Sequence, residues 1–197
     1  MRPYDASRNG YVLGEGAAFV LLEPMAAARA RGARVRALLA GNRLLSDATH
    51  LTSPDESGAG MALAIALALE EAQVAPREVG GITVTATGSP VYDRMQCRAI
   101  RAALGPAADC IPVSTWEACI GHALGSTAIL GLVHAAQALE EKVLLGVGGA
   151  GELDPDSRLR YLFEGPASLT GRAVLALTVG FGGQNGATVI TCVEDGS

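Results

Sequence analysis

Apolar residues cluster in strand-like and helix-like patterns over the first part of the chain. The apolar run from Tyr11 to Glu23 predicts a buried strand. Met25 to Arg31 predicts a short helix that ends at Gly32, because glycine commonly terminates helices. Val35 to Gly41 predicts a second strand, antiparallel to the first, and the polar segment from Asn42 to Ser57 predicts a loop.

Helix and strand patterns then alternate to the end of the chain. A dense Ala and Leu pattern predicts a helix from about Gly58 to Gln73, buried on more than one side. The other predicted helices are Pro90 to about Leu104 and Gly121 to Lys142, and the other predicted strands are Ile82–Thr87, Ile111–Thr115, Ala173–Val179 and Ala187–Val193. Val143 to Leu169 predicts irregular structure, and the glycine-rich residues 180–186 predict a hairpin. This alternation predicts an α/β layered domain in which helices cover both faces of a mixed sheet.

Composition and charge narrow the class of protein. Ala and Gly supply 60 of the 197 residues, which favours close backbone packing over a core of aromatic rings. A hydrophobic content of 49% and a charged content of 18% are typical of a globular domain. The net charge of −5 does not favour nucleic acid or an anionic membrane as the main partner.

The four cysteines have no metal-ligand spacing, and no CxxC pair is present. We therefore predict reduced, mostly buried thiols, no metal and no cofactor. The N-terminus has no apolar signal region, and the longest apolar run, Met61 to Leu69, is too short to cross a bilayer. These features predict a cytoplasmic protein without a membrane span.

Four segments together resemble one family, the β-ketoacyl-acyl carrier protein synthases. They are Arg2–Asp5 with Arg8–Ala17 (similar to "RPFD…RDGFVLGEGAG"), Ser46–Pro54 ("SDAxHITAP"), Ser114–Gly125 ("STKSMTGHLLGA") and Val179–Gly186 ("GFGGTNA"). The segments follow the family order with family-like spacing over nearly the whole chain. One such motif would be weak evidence, whereas four in order are specific.

The resemblance implies a thiolase-like layered fold, in which two similar halves pack as a five-layer sandwich. Residues 1–197 would be a single C-terminal β-ketoacyl synthase-like domain. The family's N-terminal half, which carries the nucleophilic cysteine, has no counterpart in this sequence. The first residue, Met1, stands where the family chain continues upstream, which leaves a truncated start open.

The resemblance also implies a decarboxylative Claisen condensation, assisted by two histidines and one lysine. His122 matches the second histidine. Thr85 stands in place of the first histidine, and Glu117 stands in place of the lysine. A threonine hydroxyl cannot carry positive charge, and a carboxylate at position 117 would repel a malonyl carboxylate and its enolate. The alternative for Glu117 is a solvated loop carboxylate without a role.

Further positions follow from the same resemblance. Phe181, Gly182 and Gly183 match the family's active-site loop, whose backbone contributes to an oxyanion hole; the alternative is a purely structural glycine turn. Gln96 stands where the family usually has a glutamate. Cys119 lies three residues before His122, but it does not match the family nucleophile.

Three functions remain open, and whether the chain is an enzyme remains uncertain. The first is a non-catalytic subunit, similar to a chain-length factor, that pairs with an active ketosynthase. The second is the C-terminal half of a split or truncated synthase, with an N-terminal half polypeptide as partner. The third is an inactive gene fragment. An acyl carrier protein is the further expected partner; arginines 29, 31, 34 and 36 could form a basic face for it, or be an ordinary solvated surface.

Overall fold

The computed structural model describes residues 1–148 and 151–193. The helices are α1 Met25–Ala30, α2 Ala59–Ala72, α3 Pro90–Leu104, α4 Glu117–Ile120 and α5 Thr127–Glu141. The strands are β1 Leu38–Ser46, β2 Val79–Val84, β3 Pro112–Ser114, β4 Val143–Leu144, β5 Arg160–Tyr161, β6 Ala167–Ser168, β7 Ala173–Gly180 and β8 Gln184–Thr191.

A mixed sheet of six strands forms the centre of the domain, in the order β1-β8-β7-β2-β3-β5. β1, β8 and β7 are antiparallel neighbours, whereas β7, β2, β3 and β5 run parallel. β4 and β6 form a separate antiparallel pair. The predicted mixed sheet and the predicted hairpin between β7 and β8 are therefore confirmed.

Helices pack on both faces of this sheet because the central strands are apolar on both sides. On β7, Leu175 and Leu177 join the core beneath α2 and α3, whereas Val174 joins the core beneath α5. Alternate residues of a strand point to opposite faces, so α5 lies on the face opposite to α2 and α3. The predicted arrangement of helices on both faces is confirmed.

The predicted strand from Tyr11 to Glu23 is wrong. This segment contains no strand and makes one isolated bridge, between Leu13 and His122. Its large apolar side chains are exposed, and Phe19 retains 95% of its surface. An apolar pattern identifies residues that favour burial, but it does not show whether another strand lies beside the segment to form a sheet with it. β1, its expected partner, pairs antiparallel with β8 instead.

Several element boundaries also differ from the sequence predictions. β1 begins at Leu38 and continues to Ser46, because residues placed in a loop pair with β8 through their backbones. β2 covers Val79–Val84 instead of 82–87, and α5 begins at Thr127 instead of 121. The segment predicted to be irregular, Val143 to Leu169, contains three two-residue strands. Residues 149 and 150 of this segment lie outside the described part.

The prediction of mostly buried thiols is also wrong. The four cysteines are free, but only Cys97 is buried, and Cys110 and Cys119 are exposed. Cys119 lies in the short helix α4, next to the exposed Ile120. This part of α4 lies at the surface, so the apolar character of the thiol did not lead to its burial. The predicted α2 is confirmed, and it packs on β1, β8 and α3, although Leu63 remains 53% exposed.

His134 gives the fold an acid-sensitive position. The side chain lies within α5, and burial lowers its pKa to about 4. Neither ring nitrogen has a hydrogen-bond partner within the described residues. Because the folded state keeps His134 neutral, folding does not compete with protonation above the unfolded pKa near 6.5. As the pH falls from there towards 4, the unfolded state takes up a proton that the folded state does not, and the free energy of unfolding decreases.

We therefore predict that His134→Leu removes part of the acid sensitivity. The free energy of unfolding of wild type, relative to the variant, should fall by roughly 3 kcal/mol between pH 6.5 and pH 4. Urea denaturation of both proteins across this range measures the difference, and other titrating groups cancel in the comparison. Parallel pH profiles would contradict the prediction.

Candidate functional site

The backbone of His122 is held between two chain segments that are far apart in sequence. His122 lies between α4 and α5, where its N–H donates to Val12 O at 2.8 Å and its carbonyl oxygen accepts from the Gly14 N–H at 3.0 Å. A Cβ at Gly14 would lie 2.3 Å from the carbonyl oxygen of Ile120, so only glycine permits this approach. The motif containing Gly14 thus anchors His122, which the sequence pattern alone did not reveal.

The His122 ring contacts the carboxylate of Glu117. His122 Nδ1 lies 2.5 Å from Glu117 Oε1, and the second carboxylate oxygen accepts a hydrogen bond from the Ala86 N–H. The Glu117 side chain is fully buried, while the ring of His122 is 14% exposed. The alternative of a solvated carboxylate at Glu117 is therefore wrong, because a buried carboxylate needs these partners to offset its desolvation.

Thr85 lies next to this pair, and its own hydrogen bonds go to other residues of the described part. Its N–H donates to Leu177 O at 3.0 Å, and its hydroxyl lies 3.4 Å from the hydroxyl of Thr178 on β7. The following residue, Ala86, supplies the N–H that holds Glu117. The structure therefore brings Thr85, Glu117 and His122 together, through one peptide group.

Gln96 extends the network behind Thr85. Its amide nitrogen donates to Thr85 O at 2.5 Å, and its oxygen accepts from the Tyr4 hydroxyl at 2.8 Å. Gln96 is completely buried in α3, so a neutral amide with both ends bonded suits the position. Neither Gln96 nor Glu117 provides a positive charge to this part of the site.

The turn from Phe181 to Gly183 forms a separate structural unit. Gly182 and Gly183 have φ values of +79° and +70°, which glycine adopts without strain. The Gly182 N–H donates to Leu51 O at 2.7 Å, and the Gly183 carbonyl accepts from the Asp47 N–H at 2.9 Å. Within the described residues, no hydrogen bond joins this turn to His122 or Glu117.

Phe181 itself is 66% exposed at the tip of the hairpin. Because the Gly182 amide is already bonded to Leu51, it is not a free donor for an oxyanion in this structure. The contribution of Phe181, Gly182 and Gly183 to an oxyanion hole remains a prediction.

The arrangement around His122 supports proton transfer or hydrogen bonding and offers few ligands for a metal. No group of three or more His, Cys, Asp or Glu side chains within the described ranges could hold a metal ion.

A cleft of about 330 Å³ lies near Thr85, bounded by Trp116, Ala128 and Thr178. Among the described residues, no helix has the length and apolar content needed to cross a membrane.

We predict that Gly14→Ala detaches the segment that holds His122. The added Cβ would meet backbone atoms of Ile120 and Gly121, which cannot move aside as a side-chain end can. The His122 amide, which donates to Val12 O, should exchange its hydrogen at least tenfold faster by NMR or mass spectrometry. Gly16→Ala is the control, since its Cβ would meet the end of Leu130 at 3.1 Å. Equal exchange in both variants would contradict the anchoring role.

Comparison with known proteins identifies the family to which this chain belongs. Residues 36–147 match the family described as "Beta-ketoacyl synthase, C-terminal domain". The chain is 36% identical over 189 residues to the tetracenomycin polyketide synthase ketoacyl synthase alpha subunit of Streptomyces glaucescens, with 96% of this chain and 44% of the relative covered.

Solved structures have the same fold. A type II polyketide acyl carrier protein in complex with its ketosynthase, AntDE:AntF, is matched with a TM-score of 0.94 at 30% identity, over 98% of this chain and 47% of the matched chain. The ishigamide ketosynthase/chain length factor is matched with a TM-score of 0.92 at 30% identity, with the same coverage. This chain spans about half the length of the relatives it matches. The layered arrangement, the ordered motifs and these matches agree, and the chain belongs to the β-ketoacyl synthase family, whose C-terminal, thiolase-like half it represents.

Proposed function

We propose that this chain is the C-terminal half of a β-ketoacyl synthase-like subunit of polyketide or fatty-acid biosynthesis. In this proposal the subunit does not itself carry out decarboxylative condensation, and it acts, like a chain-length factor, as the partner of an active ketosynthase. An acyl carrier protein would deliver the substrate to the assembly. We also keep the prediction of a cytoplasmic location, which cell fractionation tests.

The buried carboxylate of Glu117 carries this proposal. Decarboxylation of a malonyl thioester develops negative charge on an enolate oxygen, and catalysis requires donors or cations directed at that charge. Here the position of the family lysine holds Glu117, and the position of one family histidine holds Thr85. Gln96, which bonds to Tyr4 and Thr85, is a neutral amide and adds no positive charge.

The exposed apolar surface supports the presence of a partner. Phe19, Leu21 and Leu22 are 65% to 95% exposed, and they border an open cleft of about 1030 Å³ against α5 and the start of β1. Large contiguous apolar surface on a domain marks an interaction site. On α2, by comparison, the large apolar side chain left exposed among the described residues is Leu63, at 53%. The isolated chain should therefore have low solubility.

The basic face offers weaker support for carrier binding. Arg31 pairs with Glu23, and Arg34 and Arg36 pair with Glu140, so much of its charge is compensated within the chain. Exposed pairs of this kind contribute little energy and can exchange partners. Carrier recognition through these arginines remains a prediction.

Co-expression with a ketosynthase subunit tests the proposed partnership. We expect a stable heteromer in size-exclusion chromatography with light scattering, and Phe19→Ser with Leu21→Ser should weaken it. The exposed Leu63→Ser is the control, because it lies on α2, away from the cleft. A folded, soluble monomer that binds no ketosynthase would contradict the proposal.

The alternative function is the C-terminal half of an active synthase whose cysteine half lies on another polypeptide or segment. The ordered placement of His122 favours it, because a site without any role need not keep two backbone anchors for one side chain. Condensation would then require His122 to work without the lysine. Activity measured on the assembled halves separates the two functions.

A further inference from the structure

The Glu117–His122 pair has a chemical property that goes beyond the proposed function and rests on this chain's own residues. We propose that Glu117 is a positioning residue that keeps the ring proton of His122 on Nδ1. His122 Nε2 is thereby presented as a proton acceptor for a neutral thiol or hydroxyl group. Such a histidine accepts a proton, whereas an oxyanion site needs a donor.

The position of the proton follows from the two carboxylate oxygens. A carboxylate accepts hydrogen bonds, whereas a neutral imidazole has one N–H that donates. Glu117 accepts from the Ala86 N–H with one oxygen and lies 2.5 Å from His122 Nδ1 with the other. The hydrogen at this contact therefore belongs to Nδ1, as in the carboxylate–histidine pairs that fix a tautomer.

The ring is also held in one orientation. Its backbone is bonded on both sides, to Val12 and Gly14. The Tyr11 ring stands against the imidazole at a centroid distance of 5.3 Å and an angle of 67°. The Thr127 hydroxyl lies 3.5 Å from Nδ1, on the same side as Glu117. These contacts leave the opposite nitrogen pointing away from the carboxylate.

His122 Nε2 is available to a ligand. Within residues 1–148 and 151–193 this nitrogen has no hydrogen-bond partner, and the ring is partly exposed. In a neutral imidazole that carries its proton on Nδ1, Nε2 bears a lone pair and accepts. An oxyanion needs a hydrogen-bond donor, so the lone pair on Nε2 disfavours its binding.

The surroundings select the class of ligand. The negative charge of Glu117 disfavours a carboxylate, a phosphate or an enolate close to the ring. The neighbouring Val12, Leu13, Ile120 and Leu124 expose apolar side chains, which favour a neutral group on an apolar carrier. A bound S–H or O–H group donates a hydrogen bond to Nε2. When the proton is transferred, the bond from sulfur or oxygen to hydrogen breaks, an N–H bond forms at Nε2, and the electron pair stays on sulfur or oxygen. The resulting thiolate or alkoxide is a nucleophile towards an acyl carbon.

Nitrogen-15 NMR of the full chain tests the tautomer directly. The chain has three histidines, so His50→Gln and His134→Leu assign the His122 signals. At about pH 8 we expect long-range proton–nitrogen correlations in which Nδ1 is protonated and Nε2 is not. A proton on Nε2, either alone or together with Nδ1, would overturn the proposal.

Variants at Glu117 provide a second test. Glu117→Gln keeps the volume but removes the charge, so we expect a mixture of tautomers and an about tenfold slower reaction of His122 with diethyl pyrocarbonate, which attacks unprotonated imidazole nitrogen. Glu141→Gln, an exposed carboxylate on α5, is the control and should leave both readouts unchanged. An unchanged tautomer and rate in a folded Glu117→Gln protein would overturn the positioning role.

Small probes distinguish the two donor types. Ethanethiol or ethanol should shift the His122 Nε2 signal more than acetate does, and a response to ethanethiol alone assigns the site to thiols. A larger response to acetate, or no response to either neutral donor, would overturn the ligand assignment.

Discussion

Arg8→Met is expected to destabilise the fold by about 3–5 kcal/mol at pH 8. The Arg8 guanidinium is almost fully buried, with Nε 3.0 Å from Asp93 Oδ2 and Nη2 2.6 Å from Asp154 Oδ2. Removing it leaves two buried carboxylates without their main cation. The Tyr4 N–H, which donates to Asp93 at 3.0 Å, offsets only part of that charge.

The effect should depend on pH in a specific direction. Burial raises the pKa of Asp93 to about 7, although Arg8 opposes this shift. A raised acid pKa means that the folded state holds a proton which the unfolded state releases, so stability falls as pH rises from about 4 to about 7. In Arg8→Met the pKa of Asp93 should rise further, so the destabilisation should be smaller at pH 5.5 than at pH 8.

Urea denaturation at both pH values measures this difference. Arg94→Met is the matched control, because Arg94 also contacts Asp154, at 3.2 Å, but its side chain is 41% exposed. We expect that variant to lose less than about 1 kcal/mol. A loss of similar size in both variants, or a loss for Arg8→Met that is independent of pH, would contradict this description of the cluster.

Gly41→Ala is expected to lower the free energy of unfolding by about 3 kcal/mol or more. This is at the upper end of the destabilisation caused by adding volume to a packed core. Gly41 is buried in β1, and a Cβ there would lie 2.1 Å from Ala68 O and 3.0 Å from Ala72 N. Both atoms belong to the backbone of α2, so relief requires the helix and the strand to separate. β1 already has an irregular register between Leu39 and Gly41, which leaves little room for adjustment.

Thermal or urea unfolding tests this packing. Gly125→Ala serves as the control, because its Cβ would meet no atom within 4 Å, and alanine there should be neutral or slightly stabilising. If Gly41→Ala is as stable as wild type, α2 and β1 are not packed as closely as described.

Long, strongly patterned elements and the β7–β8 hairpin could be predicted from the sequence, whereas strand pairing between distant segments could not. Periodicity and end signals gave α2 and α3 almost to the residue, because local propensity and burial agree there. The 11–23 segment has a strand pattern, but its state depends on which backbone lies beside it. No residue in the segment itself encodes that neighbour.

The candidate site could be predicted in part. The resemblance to the family predicted a site at His122, Thr85 and Glu117, and the structure brings these three positions together. The sequence could not show that Glu117 is buried, because its partner is the backbone N–H of Ala86, 31 residues away. The sequence likewise did not show that the segment around Gly14 anchors His122. The presence of Gly14 in a matched motif could have indicated a close backbone approach, but not its partner.

The charge at the site separates the proposed function from its alternative. The resemblance implies a lysine and two histidines around the developing enolate; we propose that the buried carboxylate of Glu117, which contacts His122, takes the position of that lysine. An active partner could still condense substrates in its own site. The distinguishing activity is therefore decarboxylation that depends on this chain.

The most direct test is release of carbon dioxide from a malonyl-carrier thioester by this chain assembled with a cysteine-bearing ketosynthase half. We predict that the assembly releases no more carbon dioxide than the cysteine-bearing half alone, and that His122→Ala changes nothing. Turnover above that level which His122→Ala abolishes would contradict the account and identify the chain as half of an active synthase.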